Sequence, residues 1–430
     1  MNKLVERIYA NPNFAKAFDW GRLITITGTA QIGVQAIGVI SGILIIRVLP
    51  IEEYALYTLA NTMLGTLVLL ADGGISSGVM SQGGKVWTNP EKLGAVLATG
   101  LDLRKKFALF SLLITTPALL YLLRHHGVSW LMSMVIILSI IPAFIATGSG
   151  MLLEIAHKLQ QDVITLQKIQ IGSSVARISI LSLSLFIFPW AFVALLAASF
   201  VQFWANKRLL KSSHNYFDQS QKPDTVVRKE ILSLVKRILP VVLYQCVSGQ
   251  MTIWLISIVG SIAAVAKIGA LGRVDMMLTP LGVLFATLVS PRFARLPDNP
   301  MLLLNRYFQI QTVLVLWSAG IVGTVWLYSS EVLWVLGGNY SNLKIEVVLS
   351  LTGSCLNLIA ASSVVLSTGR GYAINPLISI PVGIGSIVCG AFLIGLSSLE
   401  DVLKVNIFAS GIQVVMHASY CILKIYRNKK

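Results

Sequence analysis

The chain has 430 residues, of which 55% are apolar and only 12% charged, and its mean hydropathy is +0.76. A soluble domain carries about 25% charged residues. A chain this apolar cannot cover its cores in water, which excludes a soluble enzyme or binding module and makes lipid the solvent. The net charge of +16, from 34 Lys and Arg against 18 Asp and Glu, would suggest nucleic acid in a soluble protein. Here the basic residues flank apolar runs, as the cytoplasmic ends of membrane spans do, so no nucleic-acid partner is expected.

Residues 1–22 form a polar-apolar lead-in with Lys3, Arg7, Lys16 and Arg22. The first apolar run behind it is too long for a signal-peptide core, and no small-residue cleavage pattern follows, so it reads as a first span. A span needs about 20 apolar residues. Twelve such runs occur, near 23–48, 54–80, 104–123, 129–153, 163–188, 190–210, 238–259, 262–289, 307–329, 345–368, 372–396 and 403–425. The expected fold class is therefore an all-α integral membrane protein with twelve transmembrane helices. A basic segment at 211–237 separates a six-span half over 23–210 from another over 238–430.

With the N-terminus cytoplasmic, 27 Lys and Arg fall on the inner side and only Arg47, Arg124, Lys344 and Lys404 on the outer. Arg177, Lys267 and Arg273 remain inside spans. This bias is the positive-inside rule, and it predicts both termini in the cytoplasm. Loops are short, the longest outer one being 330–344, which leaves no extramembrane catalytic domain.

Each buried charge costs about 2.5–3.5 kcal/mol at the bilayer centre unless it meets water or a partner. Arg177, Lys267 and Arg273 are accordingly candidates for a cationic cavity that binds an anionic head group such as a diphosphate, for which the arginine fork is well shaped. Asp72 and Asp275 read either as coupling carboxylates for H+ or Na+ or as structural partners of a buried arginine. Arg273 and Asp275 lie about 200° apart on one helix and cannot pair with each other. Gln31 and Gln35 share a helix face. They and Asn61 are candidates to bond sugars, or else bond neighbouring helices at about 0.6 kcal/mol each. The four cysteines, Cys246, Cys355, Cys389 and Cys421, sit singly in apolar stretches. No catalytic, metal-binding or nucleotide-binding motif is present, so no cofactor is expected and transport would draw on an ion gradient or the substrate's own.

The stretch Gly42-Ile-Leu-Ile-Ile-Arg-Val-Leu-Pro-Ile-Glu-Glu-Tyr-Ala-Leu-Tyr, followed by Leu67-Val-Leu-Leu-Ala-Asp-Gly-Gly-Ile, resembles the start of polysaccharide repeat-unit (O-antigen) flippases. These belong to the multidrug/oligosaccharidyl-lipid/polysaccharide exporter superfamily. The matching residues are Arg47, Glu53, Tyr54, Tyr57, Asp72 and Gly74. Ala55 stands where that family usually has glycine, and the second half carries no matching motif. The resemblance implies a MATE-like pair of six-helix bundles around a central cavity, in a bacterial cytoplasmic membrane. It implies a substrate of undecaprenyl diphosphate bearing a short oligosaccharide, flipped to the outer face by alternating access, with glycosyltransferases and a glycan polymerase as partners. The alternatives are a multidrug/cation antiporter of the same superfamily, a lipid II flippase, and a membrane glycan polymerase, which needs a larger outer loop than this chain has.

Overall fold

The computed structural model describes residues 29, 32–285, 289, 293, 296–297, 299–370, 372 and 374–427. The lead-in over 1–22 and Gln31 lie outside the described residues. Every regular element among these is helical: α1 (Ile32–Val48), α2 (Ile51–Asp72), α3 (Ile75–Val86), α4 (Pro90–His125), α5 (Trp130–Leu159), α6 (Val163–Ile187), α7 (Ala191–Ser212), α8 (Thr225–Val259), α9 (Ile262–Asp275), α10 (Thr279–Leu284), α11 (Pro300–Leu327), α12 (Ser329–Leu336), α13 (Lys344–Gly369), α14 (Pro376–Ile394) and α15 (Leu399–Arg427), with short 3-10 turns besides. Lipid offers no partner for a bare N–H or C=O, and a helix satisfies both internally. Eight of the helices are long and apolar enough to cross a membrane. The other four expected spans are carried by α1, α7, α8, and α9 with its continuation.

Helix starts are written locally. Asn89, Asn299 and Asn375 each precede a proline at the first helical turn, and each side chain accepts a backbone N–H of the turn it opens. Asparagine fills the cap, and proline loses nothing where its N–H would be unpaired anyway.

Two expected spans are broken. The apolar run over 54–80 divides at Gly73 and Gly74, whose φ values of +49° and +98° favour glycine. The run over 262–289 loses its α-helix at Asp275, passing through a 3-10 turn at Met276–Leu278 before α10. Pro280 in the first turn of α10 lacks the N–H that would continue the ladder.

Within the first half α5 packs on α7, α2 on α4 and α6 on α7; within the second, α13 and α14 pack on α15. The largest core crosses between the halves. It joins Ile45, Tyr54, Leu59 and Leu123 to Val265, Leu271, Leu336 and Leu403. Its second-half members gather at the end where α1 turns into α2, called here the first end.

Helix α8 ties the halves at the opposite end. It begins inside the segment read as a linker, and its opening turns lie on the first half. Ile231 fills the space over Gly78, and Asp224 N–H donates to Thr99 Oγ1 at 2.8 Å. Arg228 pairs with Asp102, and Lys85 with Glu230 at 3.4 Å. Beyond Pro240 the same helix runs along α14 and α15 of the second half.

Glycines mark the tightest approaches. A Cβ at Gly94 would collide with the backbone carbonyl of Asp218, whereas one at Gly172 would meet nothing within 4 Å. Gly94→Ala should therefore lower stability by about 1–3 kcal/mol through overpacking. Gly172→Ala, mid-helix, should be neutral or raise it by about 0.5–1 kcal/mol. Unfolding in detergent followed by circular dichroism distinguishes the two.

Candidate functional site

Most of the residues that carry the family resemblance build the closed first end. Arg47 leaves α1 and reaches the last turn of α12, where Nη2 donates to Trp334 O at 2.7 Å and Nε to Val335 O at 3.0 Å. Its guanidinium also lies 5.3 Å from the Trp334 ring centre. A cation from one half thus caps the negative C-terminus of a helix in the other. Glu53 accepts the N–H of Ala191 at 2.7 Å and fixes the start of α7. Tyr54 stacks on Tyr57 at 6.3 Å and meets Tyr340 edge-on at 6.5 Å.

Arg273 of α9 turns into this seam. It lies beside the phenols of Tyr54 and Tyr57, the Tyr54 hydroxyl being buried without a well-formed hydrogen bond. It also covers Gly42, where a Cβ would lie 2.9 Å from Arg273 Cδ. Its Nη1 is 3.6 Å from Met276 Sδ. Next to it Gly269 packs against Thr58 with no room for a side chain.

At the rim, His125 Nε2 lies 3.2 Å from Ile258 O and His126 Nε2 3.1 Å from Ser257 Oγ, both bridging the halves. Burial, and then the neighbouring His125, push His126 below the ordinary imidazole range.

Asp72 has a structural place at the far end of α2. It accepts from the N–H of Gly74 at 3.3 Å and of Ser76 at 3.2 Å, and from the Ser76 hydroxyl. It also pairs with Arg104 at 3.3 Å. Arg104, read from sequence as an inner-loop cation, is buried, covering Gly148 and touching Met151 Sδ at 3.5 Å. Asp72 therefore shapes the glycine corner and neutralises a buried arginine.

Asp275 faces the other way from Arg273, into a cavity of about 430 Å³ inside the second half. Thr252, Ser350, Ser354, Asn357, Asn406 and Ser410 share its wall. Oδ2 accepts from Ser350 Oγ at 2.8 Å, while the buried Oδ1 has no hydrogen-bond partner. Ser350, Ser354 and Asn357 recur at helical spacing along one face of α13; Asn357 is among the polar candidates of the sequence, and the two serines are the signal that sequence reasoning passed over.

Arg177 lies on a third surface. The exposed apolar stripe of α6 runs through Ile164, Ile171, Val175, Leu183 and Phe186. Arg177 is also exposed but sits about 170° away, on a face shared with Gln170, Ser173 and Ser184 and with the buried Leu166 and Leu181. It has no partner among the described residues, and Gln170 Nε2 donates to Glu154 Oε1 at 3.2 Å. Lys267 is half-buried, Gln35 half-buried and Asn61 exposed, and none of them has a described partner. The expected cationic trio is thus distributed: Arg273 lies in the seam, Arg177 on the face of α6 opposite its apolar stripe, and Lys267 in the first half of α9. Among the described residues no group of three His, Cys, Asp or Glu could hold a metal.

No family model and no curated protein matches the chain. Solved structures do. A multidrug resistance MATE family transporter of the MOP superfamily, in its inward-facing conformation, superposes with a TM-score of 0.72 at 14% identity, over 92% of this chain and 95% of that one. The eukaryotic MATE transporter AtDTX14 gives 0.69 at 13%, over 95% and 98%. A MOP superfamily transporter from Pyrococcus furiosus gives 0.63 at 15%, over 95% and 96%. That protein is described as having a binding pocket of reverse polarity that suggests a different function. At these identities the likeness establishes the fold, a MATE-like all-α membrane architecture.

His126 gives the seam a pH dependence. A closed state that holds His126 below the ordinary value of about 6.5 disfavours its proton. Closure is therefore fully stable above that pH and weakens as pH falls through it. Spin labels at Leu131 and Glu331 should move apart between pH 8 and pH 5.5, and His126→Gln should flatten the response.

Proposed function

We propose that this protein is a flippase that moves an anionic, lipid-linked glycan across a bacterial cytoplasmic membrane by alternating access, with its first end facing outward and both termini in the cytoplasm. The fold it shares with MATE transporters supports transport. The family resemblance around Arg47–Gly74 supports a polyprenyl-diphosphate-linked oligosaccharide as cargo. One observation carries the choice of an anion: Arg177, at mid-helix, is an exposed cation with no described partner on the polar face of α6. A lipid-facing arginine at that depth would be expensive, so this face looks into a watered cleft between the halves. A diphosphate is the group its planar fork suits best. A cleft lined in this way would have the reversed polarity ascribed to the Pyrococcus furiosus neighbour.

Asp275 is the coupling residue in this reading. A buried carboxylate with one free oxygen inside a polar cavity is suited to a proton or one monovalent cation, whose arrival would bias the second half toward one of its two packings. The glycan's polymerase and glycosyltransferases would act on the product and precursor of this step.

Lipid-linked intermediates and surface polysaccharide, measured in a deletion strain with and without the gene, test the proposal. Intermediates should accumulate on the inner side and surface glycan should return with the gene. Unchanged glycan together with sensitivity to toxic organic cations would replace the flippase by a cation antiporter. In the restored strain Arg177→Ala should lower surface glycan about tenfold at equal protein level, the worth of one charge-assisted hydrogen bond. Asp275→Asn should leave the protein in the membrane but remove the dependence on the ion gradient. Asp72→Asn should instead deplete the protein itself, because unpairing a buried arginine costs about 3–5 kcal/mol.

A further inference from the structure

Helix α7 carries a stripe that neither the seam nor the cleft uses. Leu196, Phe200, Phe203 and Trp204 are the exposed apolar side chains of its first two thirds, 43%, 65%, 43% and 37% open. Beyond them the exposed residues are Lys207, Arg208 and Lys211, with Leu210 at the edge of the same face. The spacing of four, three, one, three, one and three residues keeps the first four and the three cations within about 140° of the helix circumference. The opposite face, with Ala194, Leu195, Val201, Ala205 and Leu209, is buried against α5 and α6.

Along about 22 Å of helix the stripe passes from aliphatic to aromatic to cationic. Trp204 marks the crossing, and the Arg208 guanidinium stacks 4.5 Å from its ring centre. No Asp or Glu occurs anywhere in α7, and none of its three cations has a described carboxylate partner. Lys211 stands three and four residues beyond Arg208 and Lys207, and the three form a triangle of charge about one turn in height. On the neighbouring α6, Lys168 is exposed on the lipid-facing stripe, five residues from its helix end as Lys207 is from the end of α7.

We infer that this face is a binding site for an anionic bilayer phospholipid of the inner leaflet, its acyl chains on Leu196, Phe200 and Phe203 and its headgroup phosphate on Lys207, Arg208 and Lys211. The occupant follows from the chemistry. A soluble acidic partner would have no use for the apolar two thirds of the stripe. A second copy of the chain would bring cations against cations. A phospholipid matches both parts at once, and Trp204 sits where interfacial aromatics sit. The site would hold the first half at a fixed depth while the second half moves against it.

The full-length protein in a neutral maltoside detergent provides the test. Dioleoyl phosphatidylglycerol and cardiolipin are each added against dioleoyl phosphatidylcholine. The melting temperature and the lipid retained in native mass spectrometry are recorded. The anionic lipids should raise the melting temperature and be retained, and phosphatidylcholine should do neither. The triple variant Lys207→Gln, Arg208→Gln, Lys211→Gln should bind them about tenfold or more weakly, while melting normally without lipid. A control triple, Lys222→Gln, Lys229→Gln, Lys236→Gln, should keep the full gain. Equal gains with phosphatidylcholine, full gain in the first triple variant, or equal loss in the control would each overturn the site. Retention of a polyprenyl diphosphate but not of phosphatidylglycerol would also overturn it, marking a substrate dock instead.

Discussion

The two halves meet because two glycines let them. Gly269 on α9 admits Thr58 of α2, and Gly42 on α1 admits the length of the Arg273 side chain. A methyl group at either place would collide with what lies opposite. Close backbone approach at small residues is how membrane helices associate when lipid is as apolar as the helices themselves. Everything else at the first end depends on that approach: the Tyr54, Tyr57 and Tyr340 cluster, the Arg47 cap on α12 and the histidine bridges all span a gap these glycines make small.

The polar groups inside the membrane divide by what satisfies them. Asp72 and Arg104 satisfy each other and hold a corner. Arg273 is held by packing and by neighbouring phenols in a seam that would have to part if the halves rock. Asp275 has one oxygen without a well-formed hydrogen bond inside a polar cavity, and Arg177 has no partner among the described residues. Among the described residues these two charged groups have bonding capacity left over, and incomplete satisfaction inside a membrane is expensive enough that it points to function. The division also places cation and anion on different surfaces, so a cargo and a coupling ion of opposite sign would not compete for one place.

Helix α8 complicates a picture of two rigid bodies. Its opening turns belong by contact to the first half, and the part beyond Pro240 touches both. Movement of the halves must therefore bend or shear this helix, and a proline already missing one ladder bond is where bending is easiest. The basic stripe on α7 lies at the same end of the first half and would anchor the part that α8 moves against.

Much of this was determined by the sequence alone. Apolar runs of sufficient length become helices in lipid because no other structure satisfies the backbone there, and all twelve expected spans correspond to a helix. Asn-Pro pairs placed three helix starts, since capping is a local reaction of a side chain with its own backbone. The mutual orientation of Arg273 and Asp275 was legible from helix geometry, because 100° per residue is fixed. Tertiary structure decided what periodicity cannot carry. The run over 54–80 breaks at Gly73 and Gly74 because positive φ there is stabilised by the Asp72 side chain, a bond no hydropathy window registers. Arg104 looked like a loop cation because its partner lies 32 residues earlier in the chain. The motif from Arg47 to Tyr57 is mostly a seam because its contacts, Trp334 and Tyr340, are nearly three hundred residues away. Which surface a buried charge faces is a property of the neighbouring helices, and only their packing assigned Arg177, Arg273 and Asp275 to three different ones.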